Sequence, residues 1–250
     1  MPDSKSRIAV LIDADNTSAR HLKDLLEEVA RYGTPTVRRA YGDFTAPQLS
    51  GWKDVLNPHA IQPVQQFAYT TGKNSTDSAL IIDAMDLLYS GTLDAFAIVS
   101  SDSDFTRLVT RLRESGKIVY GFGQSKTPES LVAACDRFIY LEVLSASDGE
   151  PPVAARDPQD PQLKLMLLKA IDASSHDDGW ASLAEVGQYL TKSHASFDPR
   201  NYGFAKLSTL SRAQDYLDVE VGDGPGRVRR RPTAKKTAPP PTRKAKPVRR

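Results

Sequence analysis

Residues 96–123, FAIVSSDSDFTRLVTRLRESGKIVYGFG, decide how this chain folds. An apolar run from Ala95 to Val99 stops at two serines and two carboxylates, Asp102 and Asp104. A helical pattern follows from Asp104 to Ser115, and a second apolar run from Lys117 to Phe122. Strand, helix and strand in that order make a βαβ unit, with parallel strands and a right-handed crossover. The acids sit where the buried strand ends. Helix capping would use one of them, and two in three positions exceed that need.

The same alternation runs outward. Ile8 to Ile12 is a continuous apolar run that suits a strand buried on both faces. Thr17 to Tyr32 has helical spacing and stops at Gly33. TPTVRRAYGDF and Ile61 to Tyr69 read as strands two and three, with a weaker helix, PQLSGWKDVLNPH, between them. Asp77 to Tyr89 is a well-patterned helix, TPESLVAAC a short one, and RFIYLEV a last strand. The expected fold class is α/β, a mainly parallel sheet flanked by helices, with ligands beyond the carboxyl ends of its strands. That unit covers 1–145, and 146–160 is rich in Pro, Gly and Asp, the composition of a linker. Residues 161–223 resume helical patterning in three short helices and end in LDVEVG, which suggests a winged-helix module. Residues 224–250 are Pro-rich and basic and read as a disordered tail.

Charge divides the same way. The formal net charge is +2, yet eleven of the 33 basic residues follow Asp223, after which there is no acid. What precedes them carries 22 basic against 31 acidic residues, a net of −9. No run of about 18 apolar residues occurs, so no membrane span is expected, and the N-terminus lacks the pattern of a signal peptide. Cys135 is the single cysteine, which excludes an intrachain disulfide and suits a reducing, cytoplasmic setting. One Cys and four scattered His disfavour a Cys/His zinc site, so any bound metal should be a hard cation on carboxylates.

Three acidic clusters fall at predicted element ends. LIDADN places Asp13 just past strand one, with Asp15 and Asn16 behind it. KNSTDSALIIDAMD places Asp77 at a helix start, and SSDSDF places Asp102 and Asp104 past strand four. In one crevice such carboxylates would repel, and Mg²⁺ or Mn²⁺ would relieve them. A divalent ion so held can activate water against a phosphodiester and stabilise the developing charge. Capping by Asp15, Asn16, Ser101, Asp102 or Asp77 is the competing structural role, and Asp83, amid apolar residues, suits a buried hydrogen-bonded role equally well. Lys73 and Arg39 lie where a phosphate contact could form, as do Arg38, Arg107 and Arg111. There is no GxxxxGK[ST] loop and no GxGxxG fingerprint, which disfavours ATP hydrolysis and a nucleotide- or FMN-binding reading.

IAVLIDADN, TTGKNSTDSALIIDAMDLL and FAIVSSDSDFTRLVTRLRESGKIVYGFG resemble the NYN domain of the LabA-like group, a branch of the PIN-like nucleases. Residues 160–222, with DDGWASLAEVGQYLTKSHASFDPRNYGFAKLSTLS, resemble the OST-HTH or LOTUS module. The resemblance implies metal-dependent cleavage of RNA, read as single-stranded, with Asp13, Asp77, Asp102 and Asp104 as catalytic and metal-binding acids. Asn16 would orient a ligand or the scissile phosphate. The winged-helix part would recruit RNA or a protein partner. A non-catalytic RNA-binding adaptor is the alternative.

Overall fold

The structure is a computed structural model that describes residues 6–67, 75–144, 156–222 and 225–232. The first unit is built from β1 (Arg7–Asp13), α1 (Leu22–Ala30), β2 (Thr34–Gly42), α2 (Lys53–Leu56), β3 (Gln62–Gln65), α3 (Ser75–Tyr89), β4 (Ala95–Val99), α4 (Thr106–Glu114), β5 (Ile118–Gly123), α5 (Glu129–Ala134) and β6 (Arg137–Tyr140). Its six strands are all parallel, in the order β3-β2-β1-β4-β5-β6. The expected parallel α/β sheet is therefore present.

The apolar runs explain the layering. Side chains along a strand alternate between faces. Ile8, Val10 and Ile12 of β1, with Ala95, Ala97 and Val99 of β4, join the core beneath α1. Ala9, Leu11, Phe96 and Ile98 point the other way and pack with Leu80 and Ala84 of α3, Leu108 and Leu112 of α4 and Leu131 of α5. A strand with both faces buried has no room for polar residues until it ends, which is why the acids gather at the ends.

Strand order positions the site. The chain goes outward from β1 through β2 to β3, then returns to place β4 on the other side of β1. Crossovers leave in opposite directions from the β1/β4 pair, so a crevice opens there at the carboxyl edge. Asp13 ends β1, and the SSDSD segment follows β4.

The second unit has α6 (Pro161–Ser174), β7 (Ala181–Ser182), α7 (Leu183–Ser193), α8 (Leu207–Arg212), β8 (Leu217–Glu220) and β9 (Arg227–Arg230). The three helices share a core of Leu163, Leu167, Val186, Leu190 and Leu210, beside an antiparallel sheet ordered β7-β9-β8. This corrects the reading of 224–250 as wholly a disordered tail. Arg227–Arg230 is a strand, and its charges are answered by neighbours. Arg227 pairs with Glu220, Arg229 and Arg231 with Asp218, and Arg230 with Asp172. Arg227 and Arg229 also lie over the Trp180 ring, at 4.8 and 4.5 Å from its centroid. The seven later basic residues lie outside the described residues.

The two units are joined side by side. Phe138 on β6 donates its backbone N–H to the Ala195 carbonyl at 2.8 Å, so the second unit covers the open edge of the sheet. Arg200 donates two hydrogen bonds of 3.0 Å to Glu28 of α1 and is also held by Asp198, which in turn meets Arg137 of β6. Among the described residues no helix is long and apolar enough to cross a membrane.

Candidate functional site

Asp77, Asp102 and Asp104 each offer a carboxylate oxygen, and the three oxygens lie within 4.8 Å of one another. Asp77 is in the first turn of α3, and Asp102 and Asp104 follow β4. Asp102 settles the question its position raises. Its Oδ1 accepts the Asp104 backbone N–H at 2.9 Å, capping a 3-10 turn at Ser103–Phe105. Cap and ligand are compatible, because a carboxylate has lone pairs for both a backbone N–H and a cation.

Asp13 sits just behind this trio and is fully buried. Its Oδ2 accepts hydrogen bonds from the Asn16 amide at 2.9 Å and from Ser100 Oγ at 2.8 Å, and its Oδ1 accepts the Asn16 backbone N–H. Burial pushes its pKa up, against those hydrogen bonds. Asn16 therefore orients a carboxylate rather than capping a helix. Ser100 also accepts the Asp102 backbone N–H at 3.1 Å, so one hydroxyl fixes the two acidic strand ends relative to each other. The sequence reading passed over Ser100. The signal available was a hydroxyl next to the acids, in a row where strand-end N–H groups lose their ladder partners. Gly123 allows the close approach that this needs. A Cβ there would stand 2.8 Å from the Ser100 carbonyl and 2.7 Å from Thr127 Oγ1. Ser100→Ala would leave a buried carboxylate short of a donor and cost about 1–3 kcal/mol, to be measured by urea denaturation of the metal-free protein. No loss of stability would remove Ser100 from this role.

Asp77 carries the electrostatic cost. Burial, then the charges of Asp13, Asp102, Asp104 and Asp15, push its pKa up to about 6. A folded pKa above the ordinary value means that protonation stabilises the fold. In the metal-free protein that contribution is complete below about pH 4 and is lost as pH rises through about 6. A divalent cation held by the ionised trio would reverse the trend. At a concentration 100-fold above its dissociation constant it would add about 2.7 kcal/mol, on the order of 5 °C in Tm. Thermal melts at pH 5 and 7.5, in EDTA and in Mn²⁺, check this. A Mn²⁺ increment no larger at pH 7.5 than at pH 5 would count against it. The donor set itself, three carboxylates with hard oxygens and no soft ligand, fits Mg²⁺ or Mn²⁺.

The other candidates do not join the trio. Asp15 accepts from the Asp43 backbone N–H and from Thr76 Oγ1, tying β2 to the start of α3. Asp83 accepts from Arg39 and from Tyr41, which shows the hydrogen-bonded role expected as one of its two alternatives. Arg39 thereby spends its charge on Asp83 rather than standing free for a phosphate. Arg38 donates to the Pro35 and His59 carbonyls. Lys73 lies outside the described residues. Cys135 is buried, its thiol pushed up to about 12 chiefly by burial, and it donates to the Leu131 carbonyl.

Comparison with known proteins agrees with this division. The NYN domain model matches residues 7–142 and the OST-HTH/LOTUS domain model residues 159–229. No curated protein matches the chain. A Vibrio parahaemolyticus protein of unknown function shares 19% identity, covering 56% of this chain and 95% of that one, with a TM-score of 0.46. An uncharacterized Nitrosomonas europaea protein, solved by NMR, shares 31% identity over 36% of this chain and 92% of that one, with a TM-score of 0.27. A Chromobacterium violaceum protein fragment shares 36% identity over 31% of this chain and 89% of that one, with a TM-score of 0.26. NYN domains belong to the PIN-like nucleases, which typically use divalent metals, and OST-HTH/LOTUS domains are generally RNA-binding; together they support a nuclease or RNA-associated role. With an NYN model matching more than half of its length, this chain belongs to the NYN domain family and carries a C-terminal OST-HTH/LOTUS domain.

Proposed function

We propose that the protein is a Mg²⁺- or Mn²⁺-dependent endoribonuclease that hydrolyses RNA phosphodiesters. The convergence of Asp77, Asp102 and Asp104 at the β1/β4 crevice, with Asp13 buried behind them, carries the reading. Burial and the neighbouring carboxylates that raise Asp77 make the cluster costly without a ligand, and sites of this kind are where function is expected. Asp77, Asp102 and Asp104 would hold the ion. When bound, the ion supplies charge neutralisation at the phosphate and a lowered water pKa.

The chain's own residues do the rest. Asp13 adds negative charge beneath the trio, and Asn16 and Ser100 hold it in one orientation. Asp104, exposed at the solvent side of the trio, would serve as a further ligand or position the attacking water. The acidic body repels RNA, so recruitment falls to the winged-helix unit and to the basic residues after it. Cleavage of labelled RNA by the full chain, in Mn²⁺ or Mg²⁺ against EDTA, tests the reading. Metal-dependent internal cleavage supports it. RNA binding by a folded, metal-loaded protein without cleavage on several RNAs would favour the adaptor reading.

A further inference from the structure

The helices α3 and α4 lie on the same face of the sheet, and a groove of about 620 Å³ opens between them. Its floor is apolar, from Ile81 and Met85 of α3 and Leu108 of α4. Asp104 lines one part of it and also belongs to the acid trio, so groove and cluster are continuous. Arg107 and Arg111 stand along the α4 side. Arg111 faces Glu114 at 3.9 Å. Arg107 is exposed and has no ion pair among the described residues.

We propose that this groove seats the unpaired nucleotide next to the scissile phosphate, its base or ribose on Ile81, Met85 and Leu108 and its phosphate on Arg107. The proposal rests on the nuclease reading and gives that site its strand path. The volume falls within the range of small-molecule pockets. An apolar floor takes the face of any base, and a thioether adapts to differently shaped partners. Base pairing would hide that face, so the groove fits an unpaired strand. With no fixed array of donors and acceptors on the floor, seating should tolerate any sequence. A cation at this place also offsets the field that four neighbouring carboxylates direct at an incoming polyanion.

The test uses the full chain in Ca²⁺ with fluorescein-labelled oligouridine, titrated by anisotropy at several salt concentrations. Arg107→Ala should weaken binding by about tenfold and reduce the slope of log affinity against log salt by about 0.7, the value for one phosphate contact on a single strand. Arg107→Lys should restore the slope. Thiouridine-labelled RNA should crosslink to residues 75–89 and 106–114. Wild-type affinity and slope in Arg107→Ala, or crosslinks confined to the winged-helix unit, would overturn the proposal. Cleavage by the wild type separates the two readings. Cleavage with an unchanged slope leaves the nuclease and removes the groove. A reduced slope with groove crosslinks but no cleavage keeps the groove and removes the nuclease.

Discussion

Asp102→Asn gives a folded protein that still binds RNA and cleaves it at least about 100-fold more slowly, a loss that even outer groups of a metal centre can reach. The substitution is sharp because it can keep the cap while removing the charge. Asn retains Oδ1, which caps the 3-10 turn through the Asp104 N–H. It replaces the other oxygen with an amide that cannot ligate a hard cation. It also removes one of the charges that raise Asp77, so the metal-free variant should melt no lower than the wild type. Melting in EDTA thus separates a lost ligand from a lost fold. Asp15→Asn is the control, since Asp15 tethers β2 to α3 and is not one of the trio. Asp102→Asn cleaving at close to the wild-type rate would place the chemistry elsewhere.

The second large effect concerns the contact between the units. Arg200→Ala should destabilise the protein by about 3 kcal/mol, the lower end for breaking a buried ion pair. Glu28 and Asp198, whose side chains are only 4% and 8% exposed, would lose their shared partner. Burial alone would raise both carboxyls. The hydrogen bonds and charge of Arg200, helped by Tyr32 at Glu28, outweigh burial and hold both below the usual carboxylate range. Arg31 and Tyr32 remain on Glu28, and Arg137 on Asp198, which limits the loss. Depressed folded pKa values mean that this contribution is present above the ordinary carboxylate range and lost as pH falls through it. Calorimetry should show one transition in the wild type and two in Arg200→Ala. A single unshifted transition would contradict this. The triple variant Glu28→Gln, Asp198→Asn, Arg200→Met should recover most of the loss, because neither buried carboxylate is left without its partner.

What the sequence reveals follows from how local each cause is. β4 matches Ala95 to Val99 because five consecutive apolar residues between polar boundaries admit one reading. The helix expected from Thr17 begins as a 3-10 turn at Ala19–His21, since Asn16 and Thr17 are engaged with Asp13 and the Val99 carbonyl. The acids at strand ends were legible because buried strands exclude them. The pairing of Arg39 with Asp83 was not, since it joins residues 44 apart through tertiary packing. β9 escaped for a similar reason. RVRR reads as tail until Asp218 and Glu220 are set across from it.

One backbone hydrogen bond, from Phe138 to the Ala195 carbonyl, bears on how this architecture can change over time. An edge strand with open N–H groups invites pairing with another chain. Here the neighbouring unit shields that edge, so deleting it would expose a strand built for company. The two units are therefore less interchangeable than beads on a string. Any lineage that sheds the second unit would have to blunt β6 by other means, with a charge, a proline or a covering loop.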